Sequence, residues 1–298
     1  MIYDIVHRTA YSYQNEVSFS QHLLRLTPRS GAEQRAIATQ ITVTPEPESL
    51  ERDVDMFGNI EHIATVREPC DALEIVARSR VERRAPQELI ANASAPWEAA
   101  RDAALGVGQR PAMTAAPFAF PTSMTDADIA IEDYAKRSLT PGRPVLAAAY
   151  ELTERIYHDF EYAPGVTDAE TQPAEAFAAG KGVCQDFAHV MLAALRAYRV
   201  PARYVSGYLR TIPPEGQERL QGADASHAWI AVWDPVFGWV EFDPTNNALP
   251  GQDHIALAWG RDYTDVAPVS GLVIGAGEQS LRVSVDVIPA DADSAWSS

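Results

Sequence analysis

The sequence predicts an α+β chain in which strands and helices fall in separate stretches. Three observations predict this class. Residues 1 to about 85 alternate apolar and polar positions between turn signals. Residues from about 97 to 198 place apolar side chains at helical spacing, and from residue 202 onward short β-branched and aromatic runs return. The 298 residues, 46% hydrophobic and 22% charged, suffice for a buried core and about two domains. The expected divisions are a β-rich unit over 1–88, a helical and irregular connector over 89–144, and an α+β unit over 145–298.

The first unit reads as a small antiparallel sandwich. Residues 2–7 with Tyr11 and Tyr13 alternate loosely. Ile37, Thr39, Ile41 and Val43 alternate cleanly and stop at Pro45 and Pro47. Residues 55–60 supply a turn, and runs over 60–66 and 73–81 continue the pattern. His7, His22 and His62 stand among polar neighbours and read as surface or structural histidines. In the connector, Pro96 and Trp97 open a short helix to Leu105, and Gly106, Gly108, Pro111, Pro117 and Pro121 break the chain beyond it. Trp97, Phe118 and Phe120 hold it against the surface, and Ser123 is the expected start of a helix through Ala135.

In the third unit Pro144 opens a helix with Leu146, Tyr150, Leu152, Ile156 and Tyr157 on one face. A loop over 162–167 leads to a helical piece over 174–179 that Gly180 ends. A helix from Cys184 to about Tyr198 comes next, then a strand over 202–209 and a loop over 213–216. Strands over 227–233 and 239–242 are joined by a turn over 234–238. Residues 281–288 alternate as a last strand, and 290–298 read as frayed.

Composition excludes several partners. Lys plus Arg is 24 against Asp plus Glu 41, a formal charge of −17 that repels phosphate backbones and anionic lipid, so neither nucleic acid nor membrane is expected. Two cysteines, Cys70 and Cys184, make neither a disulfide framework nor a structural zinc site, and fit a reducing, cytoplasmic setting. No secretory signal opens the sequence, and no apolar run approaches the ~20 residues of a membrane span. No D-x-D-x-D-G calcium loop is present, and no metal or other cofactor is expected.

The chemistry gathers around Cys184 in GKGVCQDFAHVM. A thiolate is the attacking form of cysteine, and a helix N-terminus favours it through unpaired N–H groups and the macrodipole. The same N–H groups suit the oxyanion of a tetrahedral intermediate, and Gly180 and Gly182 leave room for a carbonyl to approach. His227 in SHAWIAVW and Asp243 in WVEFDPTNN stand downstream on two strands joined by a turn, an order in which a carboxylate can orient an imidazole. Asp186 in the first helical turn reads as a helix-end residue, and His189 points about 140° away from Cys184 and reads as structural. Arg261, Asp262 and Tyr263 read equally as a cleft wall or an internal ion pair.

These motifs resemble the transglutaminase-like superfamily, whose core is papain-like α+β. FEYAPGVT before the cysteine and WGRDYTDVAPVSG after the aspartate resemble its bacterial branch with a β-rich N-terminal domain. The resemblance implies Cys184 as nucleophile, His227 as general base and acid, and Asp243 as its orienter. It also implies a side-chain oxyanion donor upstream, for which Tyr162 and Gln172 are candidates, with Gln185 and Asp186 beside the thiol in supporting roles. The implied reaction is attack on a peptide or protein amide through a thioester, ending in peptidase- or amidase-type hydrolysis or in glutamine acyl transfer to an amine. Two alternatives remain open: acetyl-CoA-dependent N-acetyl transfer, as in arylamine N-acetyltransferases, and a non-catalytic binding module that kept the fold.

Overall fold

The computed structural model describes residues 1–86, 88–108, 110–211, 225–275, 277–291 and 296. The strands are β1 (Ile2–Val17), β2 (Phe19–Leu24), β3 (Gln34–Thr44), β4 (Ser49–Val54), β5 (Ile60–Val66), β6 (Cys70–Arg83), β7 (Glu161–Tyr162), β8 (Lys181–Gly182), β9 (Ala202–Leu209), β10 (Ala225–Asp234), β11 (Gly238–Phe242), β12 (His254–Gly260), β13 (Val269–Ile274) and β14 (Gln279–Ala290). The helices are α1 (Trp97–Leu105), α2 (Ile129–Ser138), α3 (Val145–Asp159), α4 (Pro173–Ala179), α5 (Cys184–Ala197) and α6 (Tyr263–Val266). The expected loop over 213–216 and most of the C-terminal tail lie outside the described residues.

Two four-stranded antiparallel sheets, ordered β14-β1-β6-β3 and β13-β2-β5-β4, pack face to face. Their shared core takes Tyr13 and Val17 from β1, Leu24 from β2, Val66 from β5 and Ile75 from β6. A third sheet, β11-β10-β9-β12, is antiparallel throughout. Helix α5 lies against it and is buried on nearly all sides, because α2, α3 and α4 cover what the sheet does not. An all-round apolar helix is stable only in such a place. No helix of the described residues is long and apolar enough to cross a membrane.

The sixteen-residue β1 ties the two halves together. From Tyr3 to Tyr13 its odd-numbered side chains point inward with period two. Tyr3 and Ile5 pack against Tyr208, Ile255 and Leu257 of the third sheet, whereas Tyr13 and Val17 enter the sandwich. Between them lie His7, Thr9 and Tyr11, paired in register with Val285, Val283 and Leu281 of β14.

The structure corrects several sequence expectations. Residues 145–298 do not stay together: β13 and β14 return to the sandwich and hydrogen-bond with β2 and β1. The connector is more than a surface strap, since Trp97, Ile131 and Tyr134 enter the largest core. The helix expected from Ser123 begins at Ile129, because Asp128 caps it by accepting from the Ile131 N–H while Thr125 holds a turn with Thr122. Tyr150 and Tyr157 are exposed, leaving Leu146, Leu152 and Ile156 as the inward face of α3. Of the two readings open for the N-terminal histidines, surface or structural, His7 and His22 take the structural one, both being buried.

Candidate active site

Cys184 is the first residue of α5 and is half-buried. The approach to it is built from α4 and β8. Gly180 ends α4 in the left-handed region at φ 62°, where glycine carries no Cβ penalty. Gly182 serves a different purpose from the one expected. A Cβ there would lie 2.6 Å from Oδ2 of Asp186, so its bareness makes room for that carboxylate rather than for a substrate. Asp186 is buried; its Oδ2 accepts from the Val183 N–H and from Thr167 Oγ1, each at 2.7 Å. It therefore holds the start of α5 in shape. Burial raises its pKa, and these hydrogen bonds counter the rise.

His227 on β10 lines the same cleft as Cys184, and its Nε2 is 2.7 Å from Oδ2 of Asp243. With Nε2 spent on the carboxylate, Nδ1 is the nitrogen left for the thiol. Asp243 stands just after β11, and Asp243 and Ala248 bridge each other through their backbones. The intervening loop explains its sequence. Thr245 and Asn246 donate backbone N–H groups to Oδ1 of Asp243, Asn246 Nδ2 donates to Oδ2 at 2.7 Å, and Asn247 takes φ 48°, which asparagine tolerates. His254 of β12 adds a third bond to Oδ2 at 3.0 Å. The Gly251 N–H can only donate to His254 Nδ1, so His254 carries its proton on Nε2 and gives it to Asp243.

Electrostatics follow from this arrangement. Burial disfavours ionised Asp243, but hydrogen bonds from His227 and His254 outweigh it and hold the carboxyl well below the usual range. Burial likewise pulls His227 down, yet Asp243 and Cys184 together lift it to about 10.

A cleft of about 500 Å³ opens over these groups, lined on one side by Cys184, Gln185, Tyr204, His227 and Tyr263. The sandwich supplies the opposite wall through His7, Thr9 and Tyr11 of β1 and Leu281, Val283 and Val285 of β14. His7 is fixed there, its Nδ1 2.9 Å from the Tyr208 hydroxyl and its Nε2 2.9 Å from Thr9 Oγ1.

The remaining candidates separate clearly. Tyr162 pairs in register with Gly182, and its ring stands against Phe187 near enough for Cys184 to act on its ionisation. Gln185 donates its amide to the Ala169 carbonyl, and Gln172 turns its own toward Glu170 and Met124. His189 is buried and accepts from the Tyr263 N–H at 3.2 Å. Tyr263 forms cleft wall, whereas Arg261 pairs with Asp265 and Asp262 caps α6.

Residues 3–82 match the bacterial transglutaminase-like N-terminal region, and residues 132–244 match the transglutaminase-like superfamily. An uncharacterized protein of Mycobacterium tuberculosis is 40% identical over 98% of this chain and 94% of its own length. The chain belongs to the transglutaminase-like superfamily. A protein-glutamine gamma-glutamyltransferase of Pseudomonas aeruginosa is 35% identical over 130 residues, 41% of this chain and 19% of that protein. The crystal structure titled as a putative cysteine protease from Cytophaga hutchinsonii shares the fold, with a TM-score of 0.74 at 22% identity over 100% of this chain and 94% of that one.

For this superfamily member, sequence reasoning missed His254, Asn246 and the whole sandwich side of the cleft. His227, Asp243 and His254 also present potential metal-ligand atoms within 4.8 Å of one another. Both imidazoles direct Nε2 at Asp243, so a divalent ion would have to displace the hydrogen bonds that hold the cluster.

Proposed function

We propose that the protein is a thiol enzyme acting on amide carbonyls, with Cys184 as nucleophile, His227 as general base and acid, and Asp243 as the group that orients and charges the imidazole. The observation that carries this reading is that His227, bonded through Nε2 to the buried Asp243, lines one cleft with Cys184 at the start of α5. The Cys184 sulfur attacks the carbonyl carbon while the proton it loses resides on His227 Nδ1. The oxyanion meets the N–H groups of Cys184 and Gln185, which as first-turn groups have no intrahelical acceptor, with Tyr162 as side-chain donor. His227 protonates the leaving amine as the C–N bond breaks, leaving a thioester on Cys184. Water, or an amine in acyl transfer, then attacks the thioester under base catalysis by the same imidazole.

Hydrolysis of a peptide or protein amide is the preferred outcome, with the apolar wall of Leu281, Val283 and Val285 receiving the acyl side chain. Similarity to a glutamine gamma-glutamyltransferase supports glutamine acyl transfer as the second reading. Acid-quenched intact-mass analysis of the protein with a peptide mixture tests it. The expected result is an acyl adduct on Cys184 that hydroxylamine removes and that Cys184→Ala lacks. Turnover undiminished in Cys184→Ala would overturn it.

A further inference from the structure

Two buried arginines of the catalytic half are treated differently by the fold. Arg196, near the end of α5, donates to the carbonyls of Phe118, Ala202 and Arg261 and to Thr125 Oγ1. Arg203, on β9, is 7% exposed, yet among the described residues its guanidinium makes no hydrogen bond or ion pair, and its Nε is sealed away without an acceptor. Two indole rings lie against it instead. The Arg203 Cζ lies 3.5 Å from the Trp259 ring centre and 4.4 Å from that of Trp239, and Arg29 stacks on Trp259 at 3.4 Å.

Indole faces recover part of the hydration that Arg203 has lost, but they do not meet its N–H edge. Glu241, the acid nearest in effect, is paired with Arg83 at 3.5 Å. Arg203 lines a cavity of about 640 Å³ between the sandwich and the third sheet, together with Arg29, Arg83 and Arg84 and with Glu33, Glu88 and Glu241, of which Glu33 and Glu241 pair with Arg83. Phe237, Leu249 and Pro250 supply apolar walls, and the cavity shares no residue with the Cys184 cleft. The volume is in the range of small-molecule sites.

We propose that this cavity binds an organic carboxylate, whose two oxygens pair with the free N–H edge of Arg203 and whose apolar body lies against Phe237, Leu249 and Pro250. A guanidinium packed against two indoles and bonded to no acceptor keeps unpaired terminal N–H groups, and a planar two-oxygen acceptor matches their fork. The proposal is independent of the reaction at Cys184.

Isothermal titration of the full chain with phenylacetate, inorganic phosphate and chloride at matched ionic strength tests it. Phenylacetate should bind at one site per chain, more tightly than phosphate. Arg203→Lys, which keeps charge but loses the fork, should weaken it at least about tenfold. Leu249→Trp narrows the cavity without altering the guanidinium and should weaken it as well, which keeps the test informative if Arg203→Lys does not fold. Cys184→Ala should bind as the wild type does. Tighter binding of phosphate, heats no larger than those of chloride, or affinity unchanged in Leu249→Trp would each overturn the proposal. Loss of binding in Cys184→Ala would place the carboxylate in the catalytic cleft and overturn it too.

Discussion

At the scale of single residues, Asp243 is the most heavily bonded group of the site. Its Oδ2 receives His227, His254 and Asn246, and its Oδ1 receives two backbone N–H groups. Removing His254 leaves that buried charge one donor short. His254→Ala is therefore expected to lower kcat roughly 10- to 100-fold with KM little changed, and His254→Gln to recover part. Steady-state kinetics with an unchanged kcat would make His254 a packing residue only. Tyr162→Phe is expected to cost about 100-fold in kcat, and an unchanged kcat would remove Tyr162 as the oxyanion donor. Cys184, His227 and Asp243 were legible in the sequence because each stands in a local motif and their order fits a hairpin. His254 was not, since nothing near it signals chemistry, and only the pairing of β12 with β9 brings it to Asp243.

At the scale of elements, the start of α5 depends on a close fit between β8 and the helix. Gly182→Ala would push a Cβ into the Asp186 carboxylate, which itself holds the Val183 N–H and Thr167. The expected cost is roughly 1–3 kcal/mol in denaturant unfolding, with a loss of activity because Cys184 moves with the helix start. Unchanged stability would show that Asp186 can turn away freely. The glycines were legible as breaks, but the role of Gly182 was not, because it is set by a side chain four residues on. Helices α1, α3, α4 and α5 and strands β9 to β11 followed from periodicity and from Pro and Gly punctuation. β2, β4, β12 and β13 did not, since their short runs lack clean alternation and take their shape from the sheets they join.

At the scale of the whole molecule, β1 and β14 make the sandwich part of the cleft. That could not be read from the chain, because their register joins residues about 280 apart, such as Tyr3 with Pro289. The same burial fixes an acid response. Burial lowers His7 and His189 to about 4, below the ordinary value of 6.5. The unfolded chain therefore binds more protons between those values, so the stability from keeping these rings neutral is complete above about pH 6.5 and is lost as pH falls through about 4. Each ring contributes at most about 3 kcal/mol. His7→Gln should flatten the fall in thermal midpoint between pH 6.5 and 4, and a slope identical to the wild type would remove His7 from that response.

The relay itself can be tested without knowing the substrate, by the rate at which iodoacetamide alkylates Cys184 as a function of pH. What the profile reads is activation of the thiol by an imidazole that Asp243 orients. The wild type should then react rapidly across neutral pH, and His227→Ala and Asp243→Asn should react slowly there and recover only in alkali. A pH profile for His227→Ala that superimposes on the wild type would contradict the assignment of Cys184, His227 and Asp243 as one catalytic unit.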